Sequence, residues 1–172
     1  LLVIERRLGL LRRLAATPIS RPSIVTGKWA ARMGLGLIQI GFALLTGTLL
    51  FGMKWGPDFP MVLVVLFVYA GMNASLGLLL GNLARTEGQA VGIGVFAANV
   101  LGALGGCWWP IEVTPKWMQT LSLLLPTGWA MDALHRLVSF GSGAVSVVPH
   151  VAVLTFAALG FGVLAVRLFR YE

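Results

Sequence analysis

Charge is scarce in this sequence. Only 11% of its 172 residues are Asp, Glu, Lys or Arg, while 58% are hydrophobic. Soluble domains carry roughly 25% charged residues, and a chain this short lacks the interior to hide so much apolar surface. A water-soluble globule is therefore excluded, and the expected solvent is a bilayer. Acidic residues are scarcer still, six against thirteen Lys and Arg, for a net charge of +7. That excess does not read as a nucleic-acid patch, because the cations cluster between apolar runs with no basic face interleaved with aromatics. No nucleic-acid partner is expected. Cys107 is the single cysteine, which excludes an internal disulfide and leaves a Cys-based metal site without ligands; no metal site is expected. A phosphate-cradling loop is missing too. Its pattern needs Gly-Lys followed by Ser or Thr, whereas Gly27–Lys28 is followed by Trp29 and Pro occupies position 22. The chain has no nucleotide site and no catalytic set of its own. The opening residues also lack the charged, apolar and small-residue order of a signal peptide, and the chain reads as part of something longer.

What the sequence has is four long apolar stretches. Crossing a hydrocarbon core takes roughly 20 helical residues, and residues 33–53, 61–83, 89–109 and 147–168 qualify. No run alternates polar and apolar over repeated ten-residue segments, so a membrane β-barrel is not expected. The fold class is all-α: a polytopic helical membrane protein with four spans, a cytosolic amphipathic helix at the start and two short helices in the outer interface. With the N-terminus in the cytosol, inside segments hold Arg6, Arg7, Arg12, Arg13, Arg21, Lys28, Arg32, Arg85, Arg167 and Arg170, and outside segments only Lys54, Lys116 and Arg136. This positive-inside bias places both ends in the cytosol. The 110–146 link is too long for a turn. Trp117, Leu121, Leu124 and Leu125, then Trp129, Ala133, Leu137 and Phe140, recur at helical spacing, with Thr114–Pro115 as cap and first turn of the first helix. Trp108–Trp109 suits an aromatic belt.

Few polar groups fall within the spans. Gln39, Asn73 and Asn99 are amides there, which line a path or bond between helices. No ionisable residue sits near the middle of a span, which argues against a proton relay. Gly77/Gly81, Gly88/Gly92 and Gly102/Gly106 are small-residue pairs that permit close helix approach. The Gly- and Ala-rich third span is the candidate dimer seam and substrate path. Asp132, His135 and Arg136, with His150 beginning the last span, offer too few convergent ligands for metal or catalysis and read as a structural ion pair or headgroup contact.

The segment ERRLGLLRRLAATPISR (5–21) is a cationic amphipathic helix. Thr17–Pro18 and Ser20–Arg21–Pro22 then break it and offer an N-cap for a new helix entering the membrane near Met33. It is either an anchor on lipid phosphates or a docking element for a cytosolic partner. This segment, then GLLLGNLARTEGQA, then GGCWWPIEVTPKWMQTLSLLLPTGWAMDALHRL and a final span, resembles the permease of type-2 ABC exporters. The resemblance runs over essentially the whole chain, which corresponds to the last four of that family's usual six spans. It implies that the link before the 33–53 span carries a coupling helix seated on a separate ATPase subunit. Glu5, Arg6, Gly9, Thr17, Pro18 and Ser20 match that motif, while Arg7 and Leu10 depart from its commonest form. It also implies two permeases, as a homodimer or heterodimer, with membrane lipids around them in the cytoplasmic membrane. ATP and Mg would be held by the partner subunit, so no cofactor is expected in this chain. The exported substrate would be a drug, a lipid or a polysaccharide. The competing reading is a non-transporting membrane assembly or anchoring protein.

Overall fold

The computed structural model of the chain describes residues 4–5 and 19–169. Among these residues every regular element is helical, and four helices are long and apolar enough to cross a membrane. Arg6, Gly9, Thr17 and Pro18, four of the six expected coupling residues, lie outside the described residues.

The first helix, α1, runs Arg21–Phe51. The Ser20 side chain caps it by accepting from Ser23 N at 3.4 Å, and Pro22 stands in its first turn, where the missing N–H costs nothing. At 31 residues it measures about 46 Å, so the helix begins well before the apolar run at Met33. Gly52, at φ 60°, ends it, and Met53 N returns to Gly47 O at 3.0 Å. The second helix, α2, runs Phe59–Leu83 and returns along α1. The third, α3, is Glu87–Leu104, capped by Thr86, which accepts from Gln89 N at 3.2 Å while the Gln89 side chain reaches back to Arg85 N at 3.0 Å. It stops five residues short of the boundary expected at Trp109. Gly106 turns the chain at φ 79°, and Thr127 Oγ1 donates to Leu101 O at 2.8 Å, a second bond to a carbonyl that already receives Gly105 N at 2.9 Å.

Residues 105–147 form a compact helical insertion. It holds a 3-10 turn at Ile111–Val113, α4 (Lys116–Ser122), α5 (Pro126–Leu134), a π-turn at His135–Ser139 and a 3-10 turn at Ala144–Val147. Thr114 does not cap α4 as its position suggests. Its hydroxyl turns back to Ile111 O at 2.6 Å, and Met118 N and Gln119 N bond the Pro115 carbonyl instead. The last long helix, α6, is Val148–Arg167.

The insertion is more than a surface cover. Ala133 and Leu137 are fully buried, in one cluster with Val62, Val65 and Met72 of α2 and Leu154 of α6. The small side chains of Ala130 and Ala133 let α5 lie close to α2 and α6, with Leu137 reaching into the same core. A second cluster, Ile24 and Val25 of α1 with Leu78, Ala165 and Phe169, closes the opposite end. α2 and α6 form the centre of the bundle, α1 flanks α2, and α3 leans on α2 with none of its own residues buried.

Candidate functional site

Two ends of the bundle carry the polar chemistry. One holds the starts of α1 and α3 and the ends of α2 and α6, with Arg21, Lys28, Arg32, Arg85 and Arg167; the other holds the insertion.

At the basic end the described flanks of the 6–18 segment both stand on α1. Ser20 is its cap, bonded also through Oγ to Ser23 Oγ at 2.9 Å, and Glu5 forms an ion pair with Lys28 two turns further along. Trp29 then joins α1 to α2, its Nε1–H shared between Gly71 O and Ser75 Oγ, each at 3.1 Å. Gly71 gives the ring its room here, since a Cβ would stand a tight 3.3 Å from it. Gly36 against Ala70 (3.5 Å) and Gly162 against Ser75 (3.6 Å) are further places where α1, α2 and α6 meet closely. None belongs to the small-residue pairs visible in the sequence. Of those, Gly88 and Gly92 have open space beside them, Gly102 and Gly106 meet residues of the turn that follows α3, and Gly77 makes room for the Arg32 guanidinium.

The three span amides are not brought together. Gln39, Asn73 and Asn99 are all exposed. Asn73 Nδ2 donates to Tyr69 O at 3.0 Å and Asn99 Nδ2 to Val95 O at 2.7 Å, each within its own helix. Asn73 also borders a cavity of about 240 Å³ between α2 and α3, with Tyr69, Gly94 and Ala98. The amide that does cross between helices is Asn82, whose Nδ2 donates to Ala165 O of α6 at 2.8 Å.

At the opposite end Asp132 is a hub. Its Oδ2 accepts from Arg136 Nε at 2.8 Å and from His150 Nε2 at 2.7 Å, joining α5 to α6. A carboxylate only accepts, so His150 carries its hydrogen on Nε2. The ring is buried, packs edge-on to Trp129 at 5.1 Å, and leaves Nδ1 without a bond among the described residues. Burial, the largest single influence on Asp132, pushes its pKa up, but the hydrogen bonds and charges of Arg136 and His150 together bring it below the ordinary carboxylate value. His135 and Glu112 face each other at 3.9 Å. With Lys116, Gln119 and Arg136 they border a polar cavity of about 460 Å³. Asp58, in the α1–α2 turn, accepts from Ala144 N at 2.8 Å and fastens that turn to the insertion.

Four apolar spans bound by a buried helical insertion define a multi-pass helical membrane protein, with its polar groups spent on joining elements. The chain belongs to the ABC-2 type transporter family, whose model matches residues 1–138. It is 32% identical over 158 residues to the linearmycin resistance permease protein LnrN of Bacillus subtilis, covering 91% of this chain and 40% of that protein. It is 28% identical to the ABC transporter G family member 20 of Dictyostelium discoideum, covering 82% and 19%. The probable multidrug ABC transporter permease YbhR of Escherichia coli is 26% identical, covering 71% and 33%. The chain thus spans two fifths or less of the length of these relatives. No solved structure matches it.

Proposed function

We propose that this chain is part of the membrane subunit of an ATP-driven exporter, with the 5–20 segment receiving force from a partner ATPase. The observation that carries this reading is the attachment of that segment. Its two described flanks, Glu5 and Ser20, are both fixed to the first two turns of α1, so displacement of the segment moves α1 rather than bending a free loop. In this reading ATP and Mg are bound by the partner subunit, in keeping with residues 1–172 holding no phosphate-cradling loop. The basic end faces the cytosol by the positive-inside rule, in the cytoplasmic membrane. Two copies, or this permease with a related one, assemble along α3, whose Gly88 and Gly92 leave open space and none of whose residues is buried among the described residues. Gln39, Asn73 and Asn99 face that side of the assembly or the surrounding lipid. Two relatives named for drug resistance or multidrug transport favour a drug-type substrate over a polysaccharide.

The test uses the full-length protein. Replacing Gly9 and Thr17–Pro18 should reduce co-purification with the ATPase and substrate-stimulated ATP hydrolysis; unchanged values for both would remove the docking role. Reversing the charges of Arg12 and Arg13 distinguishes a lipid anchor, which would lose membrane association or topology with ATPase binding intact. Uptake into vesicles containing both subunits, over a panel of amphipathic drugs, reads the substrate.

A further inference from the structure

We propose that Arg32, with the groove beside it on α1 and α2, is a binding site for one anionic phospholipid such as phosphatidylglycerol. Arg32 is half-buried, and its guanidinium lies across α2 at Gly77, where Nη1 stands 2.6 Å from the place a Cβ would occupy. It has no hydrogen bond or ion pair among the described residues, whereas its neighbour Lys28 is neutralised by Glu5. Among the described residues one positive charge is therefore left over in a groove of about 400 Å³, bordered by the paired Glu5 and Lys28, by Ser23 and Gly27, and by the apolar Leu35 and Leu78. Depth fixes the kind of anion. From Arg32 to the end of α1 at Phe51 is about 28 Å, close to the hydrocarbon thickness of a bilayer. The guanidinium therefore stands at the level of lipid phosphates, where a cation between helices calls for a named counter-ion.

The apolar side of the groove says that this counter-ion carries a tail. Leu35, Ile38, Phe42, Leu45 and Leu49 are all exposed and follow one another at three- and four-residue steps along α1, a continuous track leading away from Arg32. A phosphodiester at the guanidinium, held by two parallel N–H···O bonds, sets the first carbons of its acyl chains on that track. A net-anionic headgroup matches the single leftover charge; a zwitterionic one brings its own ammonium and leaves Arg32 uncompensated. Gly77 is part of the site, since a methyl group there displaces the guanidinium while the flexible arginine absorbs the change without disturbing the helices. The inference needs only that α1 and α2 span a bilayer, and neither ATP nor the partner ATPase enters it.

The full-length permease, purified in detergent without its ATPase, is mixed with equal phosphatidylglycerol and phosphatidylcholine, and retained lipid is counted by native mass spectrometry. Wild-type protein should retain the anionic lipid in preference by about tenfold, and Arg32→Gln and Gly77→Ala should each lose most of that preference. Arg32→Lys should recover only part, because an ammonium cannot pair with the phosphate in a bidentate way. Wild-type protein without headgroup preference overturns the site before any variant is made. Equal retention by Gly77→Ala and wild type also overturns it, as does displacement of the lipid by millimolar inorganic phosphate, which would mark a free-anion site instead. Loss of ATPase coupling in the docking variants, with lipid preference intact, separates this proposal from the transport reading.

Discussion

The Asp58 carboxylate should be a measurable fastener between the α1–α2 turn and the insertion. Asp58→Ala removes one bond of known geometry and little else. The Asp58 backbone carbonyl still receives Met61 N and Val62 N at 2.9 and 3.2 Å, so the start of α2 keeps its own caps. What is lost is the 2.8 Å acceptor for Ala144 N–H, a first-turn amide whose intrahelical partner does not exist. A hydrogen bond to a charged group contributes about 1.5–3 kcal/mol, and water access to the half-exposed Asp58 reduces this to about 1–2 kcal/mol. Hydrogen exchange by mass spectrometry on the peptide containing Ala144 is the assay. Such a loss raises the population of the open turn about 5- to 30-fold, and exchange at that amide should accelerate accordingly. Asp58→Asn keeps a neutral acceptor and should fall between wild type and Asp58→Ala. Unchanged exchange in Asp58→Ala refutes the reasoning, and so does equal acceleration in both variants, because a neutral acceptor at this position would then hold nothing.

Gly56→Ala should be the more severe change in the same turn. Gly56 sits at φ 81°, and an added Cβ would collide with the backbone carbonyl of Leu137; left-handed backbone alone costs about 1–2 kcal/mol, so a fall in detergent melting temperature larger than that of Asp58→Ala is expected. Acid should loosen α5 from α6. Because the Asp132 pKa is lowered by folding, its stabilising contribution is complete above the unfolded carboxylate value of about 3.9 and is lost as the pH falls through the lower folded value. Asp132→Asn should flatten that limb of a stability–pH curve, and an unchanged curve would show that Arg136 and His150 do not hold it. Trp29→Phe removes the indole N–H that bridges Gly71 and Ser75; interhelical bonds in membranes average about 0.6 kcal/mol, and a steric-trap or denaturation measurement should find a loss near that size.

The sequence discloses this fold where one residue acts alone and hides it where partners are distant. Ser20–Arg21–Pro22 announces the start of α1, and the polar link before Gln89 announces the boundary between α2 and α3. The end of α3 was misplaced because glycines in an apolar stretch are common in membrane helices. The chain leaves the helix at Gly106, which adopts φ 79°, and Thr127, 26 residues beyond Leu101, bonds the last turn from the insertion. The burial of α5 was only partly legible: Ala133 and Leu137 share a face by periodicity, but only contact with α2 and α6 makes that face core rather than interface. Amides mislead for a related reason. Along helices as uniformly apolar as α2, nothing in the periodicity says which side meets a neighbour, so Asn73 and Asn82 look alike although only Asn82 reaches another helix.

These contacts also decide how a push on the basic end would travel. The buried cluster of α2, α5 and α6 contains side chains with no solvent exposure, and packed cores transmit displacement rather than absorb it. α1 joins that body mainly through its first turns, by Ile24 and Val25 against Leu78, Ala165 and Phe169 and by Trp29 against Gly71 and Ser75. Its second half, from Leu35 to Phe51, lies largely exposed, fastened at the far end through the turn that Asp58 holds to Ala144. In the proposed cycle α1 therefore acts as a lever pinned at both ends. Force entering at Glu5 and Ser20 reaches the α2–α6 centre at Trp29, and with it the packed α5, while the α1–α2 turn is moved along α1. Weakening Asp58 should then free the α1–α2 turn from the Ala144 segment of the insertion while leaving ATPase docking at the basic end intact.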